Sequence, residues 1–300
     1  MPGPLESLSK VKDARLELDV PFSRLTTWKA GGPARFMLRA SSERAVVEIL
    51  SITCEHNLPL VVIGNGSNIL ASDGGFEGAV LRLEGELSAA RIVGDRLESG
   101  SGAALGTAVK VATRASLSGL EFAIGIPGTV GGALMTNAGA FSGTVGEVLQ
   151  SARTLSRGGE MREHDMFEAA YREPLLPAGE IVMGAVFRLL AAGSSDIRRR
   201  VEAARLERRA TQPWGEATAG SVFKNPEGDK AGRLIDCCGL KGREVGGARV
   251  SELHANFIIN TGRASASDIK ALIDLVAEEV KARFDVALEL EVKLVGFGEE

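Results

Sequence analysis

Residues 60–68 read LVVIGNGSN, an apolar run that passes directly into a glycine-rich loop. The run Leu60 to Ile63 predicts a buried strand, and helical spacing of apolar residues over Ser42 to Asn57 predicts a helix before it. With a further strand predicted over Ala34 to Arg39, a strand, a helix and a strand deliver the loop to the end of a sheet. Loops in that position often form ligand sites.

A second glycine-rich segment, GIPGTVGG, covers Gly125 to Gly132, and NAGA follows it at Asn137 to Ala140. Because glycine is so frequent in GIPGTVGG, we expect it to contain no regular helix or strand. Successive small residues expose main-chain N–H groups that can hold a pyrophosphate without side-chain charge. Either segment alone is equally compatible with a structural turn, but two in one region favour a dinucleotide ligand.

Composition narrows the class of protein. A length of 300 residues suggests two domains, and 35 basic against 39 acidic residues provide no strong field for nucleic acid or an anionic membrane. The polar start and the lack of a long apolar run predict a cytoplasmic protein. Cys54, Cys237 and Cys238 fit a reducing compartment, and we expect them to be buried.

No strict GxGxxG, Walker lysine loop, GxSxG elbow or metal-type histidine spacing occurs, which disfavours Rossmann binding, ATP hydrolysis, esterase and metal chemistry.

Further along, the pattern predicts an α+β region and then a boundary. Short strands with turn signals run from Ala79 to Leu190, interrupted by a helix near Ala103 to Leu117. A charged helix over Asp196 to Ala210, flanked by Gly193-Ser194-Ser195 and Gln212-Pro213, marks the region where we place the domain boundary. The remaining predicted elements are a short helix at Leu234-Ile235, a strand at Asn256 to Asn260, a helix from a capping box at Ser265 and Asp268 to Phe284, and a strand at Leu288 to Val295.

Three more motifs complete a set. GSVFKNP covers Gly220 to Pro226, Tyr171 precedes Arg172, and Leu290-Glu291-Val292 lies near the end. Ser221 before an apolar pair is by itself most often structural. Together with GNGSN, GIPGTVGG and NAGA, in this order and over about residues 25 to 297, these motifs resemble the UDP-N-acetylenolpyruvoylglucosamine reductase (MurB) family.

The resemblance implies a fold class and a cofactor. The fold is α+β, with a FAD-binding region of the vanillyl-alcohol-oxidase (PCMH) type followed by a smaller αβ substrate-binding domain. We expect residues 1–200 to bind FAD as two subdomains and residues 201–300 to bind substrate, with a final strand within 288–297 returning to the FAD region. FAD is expected to be noncovalent, because no histidine lies in either glycine segment. By resemblance, its ligands are Gly64, Asn65, Gly66, Ser67, Asn68, Gly125, Ile126, Pro127, Gly128, Thr129, Gly132, Asn137, Gly139 and Ala140.

The resemblance also implies a reaction. The family reduces the enolpyruvyl group of UDP-N-acetylglucosamine enolpyruvate to the lactyl ether of UDP-N-acetylmuramate, a peptidoglycan precursor, and oxidises NADPH as co-substrate. By resemblance Ser221 donates the proton, while Arg172 and Glu291 flank the substrate carboxylate where negative charge develops. The expected ligand is thus a small nucleotide sugar, with no nucleic acid, membrane insertion or metal, and the chain is expected to be a monomer.

Three residues fall where the family contacts the UDP-sugar. They are Arg208, Lys224 and Asn225, of which Arg208, on a charged helix, is equally compatible with a merely solvated side chain. Tyr171 is the sole tyrosine, which predicts the class that lacks a tyrosine-bearing loop over the substrate. This chain has Pro174 where the family commonly has a serine. The resemblance therefore does not fix the backbone conformation beside Arg172.

Two other functions remain open from the sequence. One is a flavin oxidase of the same cofactor fold that uses oxygen on an alcohol or a sugar. The other is a flavoprotein that binds a nucleotide sugar without turnover, which the joint presence of Arg172, Ser221 and Glu291 disfavours.

Overall fold

The computed structural model describes residues 2–140, 143–165 and 175–298. Its helices are α1 (Pro4–Leu8), α2 (Glu43–Glu55), α3 (Leu105–Arg114), α4 (Val130–Met135), α5 (Val145–Val148), α6 (Ser194–Thr211), α7 (Ala231–Cys237) and α8 (Ala266–Phe284). Its strands are β1 (Ala14–Pro21), β2 (Pro33–Ala40), β3 (Leu60–Val62), β4 (Ile69–Ala71), β5 (Phe76–Leu83), β6 (Ala90–Val93), β7 (Arg96–Gly100), β8 (Leu117–Ser118), β9 (Gly139–Ala140), β10 (Gly143–Thr144), β11 (Leu149–Leu155), β12 (Met161–His164), β13 (Ile181–Arg188), β14 (Leu190–Ala191), β15 (Glu244–Val245), β16 (Ala248–Val250), β17 (Ile258–Asn260) and β18 (Lys293–Val295). No helix in this part of the chain is both long and apolar enough to span a bilayer.

The chain divides into two compact units that are not contiguous in sequence. The first comprises Met1–Leu18, Phe36–Asn65 and Gly78–Glu207, and the second comprises Asp19–Arg35, Gly66–Glu77 and Arg208–Glu300. Two early segments therefore pack with the last third of the chain. The assignment of residues 1–200 to FAD and 201–300 to substrate concerns binding and stays a prediction.

The first unit is built on two sheets. One has the strand order β12-β11-β13-β7-β6 and is antiparallel throughout. The other has the order β1-β2-β5-β3, with β3 parallel to β5. Helix α2 starts at its N-cap Ser42, whose side chain accepts from the Ala45 N–H, and its Val46 and Ile49 are fully buried. The strand, helix and strand predicted ahead of the first glycine loop are thus confirmed as β2, α2 and β3.

Trp28 anchors an early segment in the second unit. Its ring is fully buried, its Nε1 donates to the Ile258 carbonyl at 2.8 Å, and Asn260 Nδ2 donates to the Trp28 carbonyl at 2.8 Å. Asp73 anchors the other segment, because its carboxylate accepts from the Ala266 and Ser267 N–H groups at the start of α8. Burial raises the pKa of Asp73, but these bonds and the Ser267 hydroxyl outweigh it, so that the pKa lies below its ordinary value.

Helix α8 supplies most of one face of the second unit's core. Ser265 and Asp268 form the predicted capping box. The apolar face of the helix is at most 1% exposed and consists of Ile269, Leu272, Ile273, Val276 and Val280. Burial of each such side chain contributes about 1.5–3 kcal/mol, so this face holds α8 against β15, β16 and β17.

Three sequence predictions are wrong. The segment Gly125 to Gly132 contains the first turn of α4, because Thr129 caps it by accepting from the Gly132 N–H. The predicted strand Leu288 to Val295 shrinks to β18, since the residues before it pair irregularly with the segment after Ser221. The cysteines are not buried: Cys54 and Cys237 are exposed, and Cys238 is partly exposed.

Candidate active site

Ser221 lies in the second unit at the start of a short extended segment. Gly220 before it has φ +81°, a left-handed conformation that glycine adopts without strain. Ser221 itself is half-buried and forms an isolated antiparallel bridge with Phe257. Phe223, two residues later, forms a second bridge with Leu290 on the other side. The segment therefore lies between two other segments of the same chain, one around Phe257 and one around Leu290.

Glu291 lies on one of these neighbours, in the same unit. Its N–H donates to the Val222 carbonyl at 2.9 Å, so its backbone is paired with the residue next to Ser221. Asn68, at the end of the GNGSN loop, donates from Nδ2 to the Glu291 carbonyl at 3.0 Å and accepts at its own carbonyl from the Lys293 N–H at 3.0 Å. The structure thus brings together three regions that are far apart in sequence.

The first part of the GNGSN loop and the GIPGTVGG segment meet within the first unit. Asn65 Nδ2 donates to the Gly128 carbonyl at 3.2 Å, and Arg82 donates to Asn65 Oδ1 at 3.0 Å. Arg82 holds the Asn65 amide in this orientation. Burial, reinforced by nearby Arg39, lowers the pKa of the Arg82 guanidinium, although arginine stays charged at any working pH.

Close packing and free donors make this part of the loop suitable for a phosphate-bearing cofactor. A Cβ on Gly64 would lie 2.4 Å from Thr129 Oγ1, so only glycine lets the two segments approach this closely. Among the residues that the structure describes, the N–H groups of Gly64, Asn65 and Gly128 donate to no protein acceptor. Such donors suit a pyrophosphate.

The other predicted FAD residues have varied surroundings. Asn137 is 2% exposed, has φ +41° and accepts at Oδ1 from the Gly146 N–H at 3.1 Å, so this oxygen supports the protein itself. Gly139 and Ala140 form β9, which pairs with β10. Ile126 is half-buried, whereas Pro127 and Gly132 are exposed. Gly66 and Ser67 belong to the second unit, where the Gly66 carbonyl accepts from the Thr27 N–H.

The predicted substrate contacts also lie in the second unit. Arg208 is only 7% exposed and donates to Gln212 Oε1 at 2.7 Å, so the alternative of a solvated surface cation is wrong. Lys224 Nζ donates to Glu289 Oε1 at 2.5 Å. Asn225 is exposed and accepts at Oδ1 from the Ala231 N–H at 3.1 Å, at the start of α7. Tyr171, Arg172 and Pro174 lie outside the described residues.

Sequence reasoning missed two residues beside Ser221. Asn256 is 4% exposed and bonds to the Ser221 segment, and its N–H donates to His254 Nδ1 at 3.3 Å. Burial lowers the pKa of His254, with a further contribution from Lys241, so the ring is neutral at pH 7 and can accept this bond. The available signal was a polar residue next to the apolar run Phe257 to Ile259.

Comparison with known proteins gives two family matches. The FAD binding domain model matches residues 34–165, and the model of the C-terminal domain of UDP-N-acetylenolpyruvoylglucosamine reductase matches residues 212–295. The first covers both glycine segments, and the second covers Ser221 and Glu291.

Individual proteins agree. A UDP-N-acetylenolpyruvoylglucosamine reductase of Alkalilimnicola ehrlichii is 44% identical over 278 residues, which are 92% of this chain and 93% of the relative. The crystal structure of the MurB reductase from Thermus caldophilus superposes with a TM-score of 0.83 at 36% identity and covers 94% of this chain and 99% of that one. BBE-like 1 of Physcomitrella patens, at 14% identity and a TM-score of 0.51 over 93% of this chain and 60% of its own, shares the fold alone. This chain belongs to the UDP-N-acetylenolpyruvoylglucosamine reductase family.

Proposed function

We propose that this protein reduces the enolpyruvyl group of UDP-N-acetylglucosamine enolpyruvate to give UDP-N-acetylmuramate, with noncovalent FAD and with NADPH as the reductant. The observation that carries the proposal is the pairing of the Ser221 and Glu291 segments, to which Asn68 of a glycine loop is also bonded. The proposed proton donor and the proposed carboxylate thereby belong to paired segments of the second unit, to which Asn68, at the end of the GNGSN loop, is bonded.

The reaction adds a hydride to one carbon of a polarised alkene and a proton to its neighbour. The two glycine segments would hold FAD, which would supply from N5 the hydride taken from NADPH. Negative charge then develops on the substrate carboxylate, where Arg172 is proposed as a fixed cation and Glu291 as a hydrogen-bonding partner. Ser221 Oγ gives its proton to the neighbouring carbon and is reprotonated from water.

A serine is a weak acid in water, so its position must compensate for its ordinary acidity. The developing enolate is strongly basic, and a hydroxyl that is already held in line with the accepting carbon loses little entropy when it transfers its proton. The Ser221 backbone is held by its bridge to Phe257, and Gly220 sets the direction from which the chain enters. Both features restrict where the Ser221 Oγ can lie.

FAD and the nucleotide sugar are proposed to bind to different parts of the chain. Residues 1–200 are proposed to bind FAD and residues 201–300 to bind the nucleotide sugar, with Arg208, Lys224 and Asn225 as its contacts. Lys224 is engaged with Glu289, so a phosphate oxygen would replace a carboxylate oxygen on the same ammonium group. We also propose a cytoplasmic monomer, since the substrate is a water-soluble nucleotide sugar.

Steady-state kinetics test the function. Because the family admits NADPH and substrate in turn to one place beside the flavin, initial rates of NADPH consumption should give parallel double-reciprocal lines. Intersecting lines would argue against alternate use of one site. Absence of NADPH consumption together with oxygen uptake on an alcohol or a sugar would favour the oxidase, and absence of both would favour a binding protein.

A glycine substitution tests the FAD assignment. In Gly64→Ala the new methyl group meets Thr129 Oγ1 at 2.4 Å, so the loop must move away together with its N–H groups. We expect FAD affinity to fall by about tenfold or more, since about 1.4 kcal/mol of lost interaction has that effect. Affinity is measured by titrating FAD into the deflavinated protein and following flavin fluorescence.

Gly106→Ala is the matched control for that substitution. Gly106 lies in α3, where an added Cβ meets nothing within 4 Å, and alanine favours a helix. Its FAD affinity should equal that of the wild type. Equal affinity in Gly64→Ala as well would remove Gly64 from the cofactor site.

A further inference from the structure

The main-chain N–H and carbonyl groups of Val222 and Phe223 are paired within the second unit. Val222 donates its N–H to the Asn256 carbonyl at 2.9 Å and accepts at its carbonyl from the Glu291 N–H at 2.9 Å. Phe223 has a different kind of partner. Its N–H donates to Asn256 Oδ1 at 3.0 Å, and its carbonyl accepts from Asn256 Nδ2 at 2.8 Å.

The Asn256 side chain replaces a missing stretch of neighbouring strand. The main chain turns before this point, because the Phe257 N–H donates back to the His254 carbonyl at 3.0 Å and the Ser251 N–H donates to the Phe257 carbonyl at 2.8 Å. On the side of Asn256, no backbone amide of the described residues therefore continues the pairing beside Phe223. A primary amide offers one donor and one acceptor, as a peptide group does, and asparagine supplies both.

Burial makes this pairing important. Asn256 is 4% exposed and Phe223 is 2% exposed. A buried main-chain donor or acceptor that loses its partner is strongly destabilised relative to one that keeps it. The segment must therefore either keep the Asn256 clamp, meaning the two bonds from the Asn256 amide to Phe223, or move toward water.

The geometry points to Asn256 as a positioning residue that fixes the register of Ser221 against Glu291. The inference rests on the proposed function, because it assigns Asn256 no chemistry of its own. One side of the segment is bonded to Asn256 and the other to Glu291. The same stretch of backbone therefore fixes the position of the proposed proton donor, Ser221, relative to Glu291. Loss of the clamp leaves the Val222 N–H bond to the Asn256 carbonyl and the Ser221 bridge to Phe257 in place but lets Phe223 move, which shifts the register of the residues beside it.

Asn260 offers a matched control for a purely structural role. It is also a buried asparagine, 7% exposed, on the same run of chain. Its Oδ1 accepts from the Gly262 and Ala264 N–H groups, and its Nδ2 donates to the Trp28 carbonyl. Its side chain bonds to no residue of the segment 221–224 among the described residues.

Aspartate is the sharpest replacement at both sites. In Asn256→Asp the side chain keeps its size and can still accept from Phe223, but it sets a carboxylate oxygen against the Phe223 carbonyl. In Asn260→Asp a carboxylate oxygen faces the Trp28 carbonyl in the same way. Both variants lose one donor and gain one repulsion, and they differ in whether the Ser221 segment is affected.

The experiment measures the two halves of the reaction separately under anaerobic rapid mixing. Loss of flavin absorbance on mixing with NADPH should be unchanged in both variants. Recovery of absorbance with UDP-N-acetylglucosamine enolpyruvate should slow about a hundredfold in Asn256→Asp, the effect expected of a misplacement of about 1 Å, and by less than about threefold in Asn260→Asp. Affinity of the oxidised protein for the enolpyruvyl substrate, measured by calorimetry, should be the same in both.

The double variant Ser221→Ala with Asn256→Asp separates positioning from general damage. If Asn256 acts through Ser221, its replacement should change the recovery rate little once the hydroxyl is absent, because residues that act as one unit are not additive. Multiplied effects in the double variant, or equal slowing in Asn256→Asp and Asn260→Asp, would overturn the inference. If the aspartate variants do not fold, Asn256→Ser and Asn260→Ser undergo the same comparison, with the same outcomes deciding.

The two levels of the account fail differently. If the proposed function is wrong, wild-type protein bleached by NADPH does not recover with the enolpyruvyl substrate, and if only the role of Ser221 is wrong, Ser221→Ala recovers as fast as wild type. If only the role of Asn256 is wrong, both of those results are as proposed and Asn256→Asp behaves like Asn260→Asp.

Discussion

Replacing Ser221 with alanine should slow transfer to the enolpyruvyl substrate by about 10²–10⁴-fold, the usual contribution of a positioned acid. The hydroxyl is the proposed proton source, and alanine leaves the backbone bonds of the segment in place, since they involve Val222, Phe223 and Lys224. NADPH should still bleach the protein at the wild-type rate. Anaerobic rapid mixing measures each step by the loss and the recovery of flavin absorbance.

Ser267→Ala is a suitable control for the Ser221 substitution. Ser267 lies at the start of α8 in the same unit, and its hydroxyl donates to Asp73. Both half-reactions should stay at the wild-type rate in that variant. Near-normal recovery of absorbance in Ser221→Ala would remove Ser221 from the mechanism and return it to a structural role.

Replacing Glu291 with glutamine should lower the rate of transfer by about 10²-fold, the loss typical of one donor to a developing oxyanion. Glutamine keeps the shape of the side chain but cannot carry an acidic proton or a charge. The backbone of residue 291 stays bonded to Val222 and Asn68, so the effect should come from the side chain. The value of kcat at saturating substrate measures it.

Glu289→Gln provides the matched comparison two residues earlier. The Glu289 side chain is 72% exposed and pairs with Lys224. Its replacement should alter KM for the nucleotide sugar and leave kcat unchanged. Full kcat in Glu291→Gln would identify Glu291 as an ordinary strand carboxylate with no part in the reaction.

Local patterns were enough to predict the elements around the first glycine loop and the long C-terminal helix. Strand β2, helix α2 and strand β3 follow from apolar spacing, and α8 follows from its capping box and its apolar spacing. These signals act over neighbouring residues, where spacing in sequence equals spacing on one face.

Long-range pairing accounts for what the sequence did not predict. The attachment of Trp28 to Ile258 and Asn260 joins residues more than two hundred positions apart, and no local pattern encodes it. The closing strand is shorter than its apolar run because Glu291 pairs with Val222 out of a regular ladder. Helix α4 is a separate case, because it forms within a glycine-rich segment through the local cap from Thr129, which offsets low helix propensity.

The candidate site was predicted through motifs in order and not through geometry. Those motifs named Ser221 and Glu291, and the structure pairs the Glu291 backbone with Val222, the residue next to Ser221. They did not name Asn256, because its contribution is a side chain that substitutes for a peptide group. They also did not indicate that Arg208 is buried, since its helix α6 has few apolar residues to mark an inner face.

A single anaerobic turnover tests whether the protein transfers the hydride of NADPH through its flavin to the enolpyruvyl compound. Purified protein with its bound FAD is bleached with an equimolar amount of NADPH, then mixed with an equimolar amount of UDP-N-acetylglucosamine enolpyruvate, and the products are analysed by mass spectrometry. If the protein is the proposed reductase, the yellow absorbance returns without oxygen, and UDP-N-acetylmuramate forms in an amount equal to that of the NADPH added. Absorbance that returns only when oxygen is admitted, with the enolpyruvyl compound unchanged, would contradict it.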